Sequence, residues 1–541
     1  MMIEVPRPPS AQDIVKYRAN GWWRDQTFSQ ILATRGRETP DRKAMSDARR
    51  HITYGQLWAE VQRFAEFLRR QGVQRGDVVT LQLPNRIEFP VVFFSLELIG
   101  AVANKISADF RAMEVEYILK FSRSKAYVSA SQFKGFDYLA MIRELRPRLP
   151  ELSLTICVED VDAPDVVSFA KVVHDTPEID EANGVHMSPL DVMRMCFTSG
   201  TTGNPKGVLH CFNTTLCTCE TFNRELAVTD RDVMLDYLPL GLNWGYMTLV
   251  QAAMAGARVV LMERFSAEAA LELIERERIT YIPTAPASIV AMLNSPELAQ
   301  RDLSSLRIVI TGGASAAVET IRAFQAAVPG AKLIELYGML ETGFHSFTRL
   351  TDDPLKVNGT VGRCVDSMGL RMIDDDGNDV PFGEVGEIAA VGPSVHMGYL
   401  DNPAANRDSF TPDGWFRTGD LGQYADKEGN VRIAGRKKEI INRGGKKYFP
   451  REIEELLYQH PTIVQAAIVG APDSRLGEKN CLCAIIKPGS SLTLDEVVSF
   501  LKGRVADYKL PEALVVMSDF PMTPTGKIRR PELVKRVAGT V

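Results

Sequence analysis

The chain has 541 residues, too many for one hydrophobic core and enough for several domains or subdomains. It is 45% hydrophobic and 24% charged, an ordinary soluble globular composition, and its net charge of −5 comes without a polybasic block, which excludes a nucleic-acid surface as its organising feature. The longest apolar stretch, Ile87 to Val102, is broken by Glu88, Pro90 and Glu97, so it reads as a buried helix and not as a membrane span.

Met1 to Ser10 carries Glu4 and three prolines in place of the apolar core of a secretory signal. Thr53-Tyr54-Gly55-Gln56 is a capping box, and Leu57, Val61, Phe64 and Leu68 then repeat at helical spacing as far as Gly72. Val78 to Leu83 is a short strand-like run ended by Pro84-Asn85. Phe89 to Ala103 reads as the next helix and Tyr127 to Ser129 as a strand. The alternation resumes further on. Arg258 to Met262, Tyr281 to Pro283 and Arg307 to Thr311 read as strands, with helices over Ala267 to Glu277 and Ala287 to Leu293. This pattern predicts an α/β fold with crossover helices. From about Asp366, short apolar runs separated by Asp374 to Asn378 and Pro381 to Glu384 predict a small β-rich subdomain.

Composition shifts again at Gly435. Arg436 to Glu439 is a charge run, and Arg443 to Lys447 adds paired glycines. Beyond it the chain reads as helix Arg451 to Gln459, strand Val464 to Gly470, strand Cys481 to Lys487, helix Leu494 to Tyr508 opened by a Thr493/Glu496 capping box, and strand Leu514 to Met517. The expected division is a large domain over residues 1–435 and a small α+β domain over 436–541, with the charge run as a hinge. The eight cysteines form no CxxC pair and no zinc-spaced cluster with histidine. Cys481 and Cys483 sit in an apolar run, and reduced thiols in a cytoplasmic compartment are expected.

The densest chemistry lies in Phe197-Thr198-Ser199-Gly200-Thr201-Thr202-Gly203-Asn204-Pro205-Lys206-Gly207. Glycines allow close approach of a ligand, hydroxyls and free N–H groups donate to anionic oxygens, and lysine adds a mobile positive charge. The natural ligand is a polyphosphate, against the plain alternative of a polar turn. It is not the NTPase P-loop, because Pro205 has no N–H and Lys206 is followed by glycine where Ser or Thr is required.

Further segments suit the same ligand. Thr311-Gly312-Gly313-Ala314 follows a predicted strand, where α/β folds bind ligands. Tyr337-Gly338-Met339-Leu340-Glu341-Thr342-Gly343 offers an aromatic face and a carboxylate for Mg²⁺. Trp415 to Leu421 reads as an aromatic-rich turn in which Asp420 can accept ribose hydroxyls, and Lys527 lies in a Thr/Gly/Pro-rich loop, Pro521 to Arg530.

In this order these segments resemble the AMP-forming acyl-CoA synthetases and related adenylating enzymes, from Thr53 to Arg530. The resemblance implies an active site between a large domain and a small mobile one, with ATP, Mg²⁺ and coenzyme A as cofactors and co-substrate. It implies that Thr198, Ser199, Gly200, Thr201, Thr202, Gly203 and Lys206 hold the ATP β- and γ-phosphates. Gly312, Gly313, Ala314, Tyr337 and Gly338 would enclose adenine, Glu341 would hold Mg²⁺, Asp420 the ribose, and Arg436 the nucleotide. Lys438 matches the hinge residue, Gly444 and Gly445 the pantetheine tunnel, and Lys527 the adenylation lysine. Leu242, Asn243, Trp244 and Met339 fall where such enzymes line the acyl pocket.

Two departures stand out. Leu340 replaces the usual threonine whose hydroxyl contacts the α-phosphate, and Gly241 to Gly245 lacks an aromatic–histidine pair common in these ligases. Trp22 to Asp25 and Phe133 to Tyr138 resemble bacterial cyclohexanecarboxylate–CoA ligases and short- to medium-chain synthetases, implying an apolar alicyclic, aromatic or medium-chain acid. The alternatives are an adenylating enzyme that loads a carrier protein, which the absence of a carrier domain after Val541 disfavours, and a nucleotide-binding protein with weakened catalysis. Neither nucleic acid nor membrane insertion is expected, and a homodimer is one state the resemblance allows.

Overall fold

The computed structural model describes residues 3–180, 183–198, 205–313, 316–357, 359–473, 475–522 and 528–538. The capping box forms as expected: Thr53 Oγ1 accepts from the Gln56 N–H, Gln56 Oε1 accepts from the Thr53 N–H, and the helix Tyr54–Arg70 begins there. Its Leu57, Val61, Phe64 and Leu68 are fully buried. Tyr54 at its start is also buried, and its hydroxyl lies 2.6 Å from the Ala257 carbonyl and 3.1 Å from that of Ala252, tying this helix to distant chain.

Two large sheets carry the N-terminal part. One has seven strands, in the order Gly207–Cys211, Val192–Phe197, Val102–Lys105, Val78–Gln82, Ser124–Ser129, Leu154–Cys157 and Val167–Ser168. All neighbours are parallel except the first pair. The other has nine strands. It runs from Arg363–Cys364 through Gly343–Phe347, Lys332–Met339, Ile308–Thr311, Tyr281–Thr284, Val233–Asp236 and Arg258–Leu261 to Lys43–Ser46 and His51–Thr53. Its inner strands are parallel and covered on both faces, which is why they read as short unbroken apolar runs. The helix Glu88–Leu98 is buried almost all round. It ends earlier than expected: Gly100, at φ +72°, turns the chain, and Val102 and Ala103 join a strand. A continuous apolar run carries no period that separates those two fates.

The β-rich subdomain is a four-stranded antiparallel sheet of Gly369–Ile373, Gly386–Val391, Phe416–Tyr424 and Val431–Arg436. Trp415 to Leu421, expected as a turn, is mostly strand. Gly419, at φ +74°, and a register shift at Leu421/Gly422 kink it without ending it. Arg436 is the last residue of this sheet and pairs with Asp420, and the 3-10 turn Lys437–Glu439 follows.

The C-terminal unit is a five-stranded sheet of Lys446–Tyr448, Ile441–Arg443, Gly477–Ile486, Ile463–Asp473 and Ala513–Val516, with helices Pro450–Leu457, Leu494–Leu501 and Arg530–Val537. Thr493 and Glu496 make the expected capping box. The helix they open stops at Leu501, well short of Tyr508; Lys502 leaves the helical conformation, Gly503 sits at φ +77°, and Asp507–Lys509 is a separate 3-10 turn. Cys481 and Cys483 are buried strand residues. Among the described residues no helix is long and apolar enough to cross a membrane.

Tyr54→Phe removes one buried hydroxyl and leaves two carbonyls to share fewer donors. It is expected to lower stability by about 1–3 kcal/mol in chemical denaturation, with turnover per folded molecule unchanged.

Candidate active site

Phe197 is the register partner of Gly207, so the strands Val192–Phe197 and Gly207–Cys211 on either side of the glycine- and threonine-rich segment pair as an antiparallel hairpin. The neck is closed by the Thr198 N–H donating to the Lys206 carbonyl at 3.0 Å and the Lys206 N–H donating to the Thr198 hydroxyl at 3.3 Å. Ser199, Gly200, Thr201, Thr202 and Gly203 lie outside the described residues, as do Ala314 and Lys527.

Beside this hairpin runs a segment that sequence reading passed over. The Met397 N–H donates to the Leu209 carbonyl, the Leu209 N–H to the Gly398 carbonyl and the Leu400 N–H to the Gly207 carbonyl. That pairing puts the Tyr399 ring under the Lys206 ammonium, 4.8 Å from the centroid. The Tyr399 hydroxyl donates to Glu341 Oε1 at 3.2 Å. Lys206 and Glu341 therefore share one tyrosine. The available signal was Gly398, whose φ of +107° demands glycine, between a histidine and a tyrosine.

Glu341 is buried, and burial holds its carboxyl above the usual glutamate range, while Tyr399 and Lys206 pull it back down. Its backbone is fixed on both sides. The Glu341 carbonyl accepts from the His396 N–H at 2.8 Å, and the Leu340 carbonyl faces His210 Nε2 at 2.7 Å. Burial and the nearby Arg194 keep the His210 ring neutral, so Nε2 carries the proton it donates. The Leu340 side chain packs with Met339 into the cluster of Val208, Tyr399 and Phe416.

A second constellation joins the nine-stranded sheet to the β-rich subdomain. The Tyr337 hydroxyl donates to Asp420 Oδ2 at 2.8 Å, and Arg436 Nε lies 3.2 Å from Oδ1. His345 stands edge-on to the Tyr337 ring at 4.8 Å between centroids. Gly338 has no room for a side chain, since a Cβ would fall 2.3 Å from the Gly343 carbonyl. Gly312 ends the strand Ile308–Thr311, and a Cβ there would lie 3.0 Å from both the Leu336 carbonyl and the Trp244 ring. Gly313 follows at φ +77°. Trp244 packs edge-to-face on Phe344 at 5.9 Å. Leu242 caps the helix Asn243–Ala255, and Asn243 Oδ1 and Trp244 Nε1 are buried without a hydrogen-bond partner.

Lys438 lies in the 3-10 turn between oppositely directed ion pairs. Lys437 reaches back to Asp375 and Glu387, while Glu439 reaches forward to Arg530 at 3.0 Å, itself held by Glu454. Gly444 and Gly445, at φ +57° and +85°, form the tip between Ile441–Arg443 and Lys446–Tyr448.

Among the described residues no group of three or more metal-binding side chains occurs. Glu341 stands as a single buried carboxylate, which suits Mg²⁺, an ion that takes one or two carboxylates and completes its shell with water and substrate phosphates.

The chain matches known proteins along almost its whole length. Residues 32–400 match the AMP-binding enzyme family and residues 452–527 the AMP-binding enzyme C-terminal domain. The medium-chain fatty-acid–CoA ligase of Escherichia coli (strain K12) is 34% identical over 520 residues, 95% of this chain and 91% of that one. The salicyl-AMP ligase / salicyl-S-ArCP synthetase of Mycobacterium tuberculosis (strain H37Rv) is 34% identical over 546 residues, 98% of this chain and 94% of that one. The anthranilate CoA ligase AuaEII, solved with anthranoyl-AMP, superposes with a TM-score of 0.88 at 26% identity, covering 96% of this chain and 98% of that one. Fold and relatives together define an ATP-dependent, AMP-forming acid ligase. The chain belongs to the AMP-binding enzyme family.

Because burial raises the Glu341 carboxyl, the acid limb of kcat/KM in pyrophosphate exchange is expected above the ordinary glutamate range, with activity lost as pH falls through it. Tyr399→Phe removes the hydroxyl that favours the ionised form and is expected to move that limb to higher pH; a pH–rate profile of both proteins measures this.

Proposed function

We propose that the chain is a carboxylic acid–CoA ligase that makes an acyl-AMP and pyrophosphate, then a thioester and AMP, from an alicyclic, aromatic or short- to medium-chain acid. The observation that carries this reading is the convergence of Lys206–Tyr399–Glu341 with Tyr337–Asp420–Arg436, two charge-bearing triads on neighbouring strand ends and turns.

A carboxylate has no good leaving group until one oxygen is esterified to the ATP α-phosphorus. Attack there displaces pyrophosphate, and negative charge gathers on the α-phosphate and on the departing group. Lys206 and the hydroxyls of residues 198–202 serve that leaving pyrophosphate. Mg²⁺ at Glu341 supplies Lewis-acid neutralisation of phosphate oxygens. Asp420, already oriented by Tyr337 and Arg436, accepts the ribose hydroxyls. Gly312, Gly313, Ala314, Tyr337 and Gly338 accommodate the purine. Lys527 bridges the carboxylate and the α-phosphate in the first step.

The second step needs a thiol where that lysine was. The ion pairs on either side of Lys438 make the 3-10 turn the pivot, so the small domain turns as a body and brings the Gly444-Gly445 tip to the pantetheine path. A relative that loads a carrier protein supports the second reading, in which the acceptor thiol is a carrier's phosphopantetheine. The cysteines are unpaired thiols, which fits a reducing compartment such as the cytoplasm. A homodimer is part of the proposal, since ligases of this family are often dimers.

Lys527→Ala is expected to lower acyl-AMP formation by about 100-fold or more and to spare thioester formation from synthetic acyl-AMP. Separate assays of the half-reactions decide it, and equal loss in both refutes the assignment. Release of a CoA thioester from free CoA distinguishes the first reading from carrier loading.

A further inference from the structure

Two strands of the seven-stranded sheet bring basic side chains against one buried ring. Lys105 ends Val102–Lys105, Arg194 lies in its parallel neighbour Val192–Phe197, and they are 0% and 1% exposed. The Lys105 ammonium lies 4.2 Å and the Arg194 guanidinium 4.7 Å from the centroid of the Tyr246 ring. Arg194 Nη2 reaches the Thr215 hydroxyl at 3.4 Å, while its Nε and Nη1 have no hydrogen-bond partner and the Lys105 Nζ has only the Cys196 thiol beside it. The groups that bear on Lys105 are Cys196 and Arg194, and no carboxylate is among them. Burial beside a second cation pushes the Lys105 ammonium down to about 7.

A core that needed only volume here would be filled by leucine or methionine. A buried guanidinium with no anionic partner, beside a lysine whose charged form burial already disfavours, is unfavourable, and one aromatic face does not offset it. What they lack is an anion.

The pair adjoins the turn expected to line the acyl pocket. Cys196, the register partner of Lys105, directs its thiol to the Gly241 carbonyl at 3.8 Å. The carbonyl of Ile106 sits where a Gly241 Cβ would fall, so that turn is pressed against the strand end. Tyr246 belongs to the helix opened by Asn243 and Trp244, whose own polar atoms are unpartnered.

We propose that Lys105 and Arg194 close the far end of the acyl site and bind a second carboxylate on the substrate, distal to the one that is adenylated. The proposal rests on the acid-ligase reading above and narrows its substrate class to diacids. The guanidinium fork takes the distal carboxylate through the free Nε and Nη1, and the ammonium completes the pair.

Matched acids test this in pyrophosphate exchange: hexanoate against adipate, octanoate against suberate, and cyclohexanecarboxylate against cyclohexane-1,4-dicarboxylate. The diacid is expected to exceed its monoacid in kcat/KM by about tenfold or more in at least one pair. Arg194→Met and Lys105→Met should each abolish that preference by lowering kcat/KM for the diacid more than for its matched monoacid, and should melt no lower than the parent because a buried basic group without an anionic partner is removed. Arg194→Gln serves if the methionine variant does not fold. Monoacid preference in every pair, or equal loss of both acids in the variants, overturns the proposal. If no acid at all is activated, the ligase reading fails by itself; the site is then judged by thermal denaturation, where a rise in Tm with diacid that vanishes in Arg194→Met supports it and no rise overturns it.

Discussion

The Asp420 carboxylate is the point on which the active-site frame depends. One oxygen is fixed by the Tyr337 hydroxyl and the other by the Arg436 guanidinium, so three pieces of chain meet at one group. Tyr337 comes from the nine-stranded sheet, Asp420 from the third strand of the small antiparallel sheet, and Arg436 from the last residue before the 3-10 turn. The mutual position of the sheet, the subdomain and the start of the 3-10 turn is therefore set by two charge-assisted contacts to one buried carboxylate. The contact also orders the chemistry. A carboxylate held on both oxygens keeps its orientation, so in the proposed ribose-binding role little reorganisation would be needed.

Burial sets the charge states around that frame. Glu341 is pushed up by burial, and Tyr337 is pushed up by burial and by the Asp420 charge; His210, His345 and His396 are pushed down, the last two to about 4 and about 3. The three histidines are thus neutral near pH 7, and His210 spends its proton on the Leu340 carbonyl. The neutral histidines beside the Glu341 backbone add no positive charge to it, so the cations that bear on its carboxylate are Lys206 and Arg436.

Much of the fold was legible because local chemistry and tertiary role agree there. Thr53/Gln56 and Thr493/Glu496 start helices by satisfying their own orphan N–H groups, which needs no distant partner. Buried parallel strands such as Tyr281–Thr284 and Ile308–Thr311 read as apolar runs for the same reason that they pack. The failures are where distant chain decides. Phe416–Tyr424 is a strand because Gly386–Val391 and Val431–Arg436 flank it, although Trp415 to Leu421, with Gly419 beside Asp420, reads as a turn. In the site, hydroxyls, glycines and carboxylates were readable as phosphate chemistry. Tyr399 was not, because its role arises only when residues 397–400 pair beside Gly207–Cys211. Lys105 and Arg194 were hidden in a different way: each is one charged residue in an apolar strand, and only the register of parallel neighbours puts them under one ring.

Leu340 shows how the same constraints bear on the phosphate end. A threonine there would offer a hydroxyl, and its loss removes one donor from the phosphate side of the cleft. In exchange the isobutyl group fills the apolar cluster of Val208, Tyr399 and Phe416, the cluster that positions the Tyr399 ring. That ring carries Lys206 on its face and donates its hydroxyl to Glu341. The backbone carbonyl of residue 340, which any side chain supplies, still receives the His210 proton, so the turn geometry is independent of the substitution. On the proposed reading the division of labour changes: neutralisation of the phosphates would rest more on Lys206 and on the cation that Glu341 would hold, the two groups the packed tyrosine brings together, and less on a hydroxyl beside them.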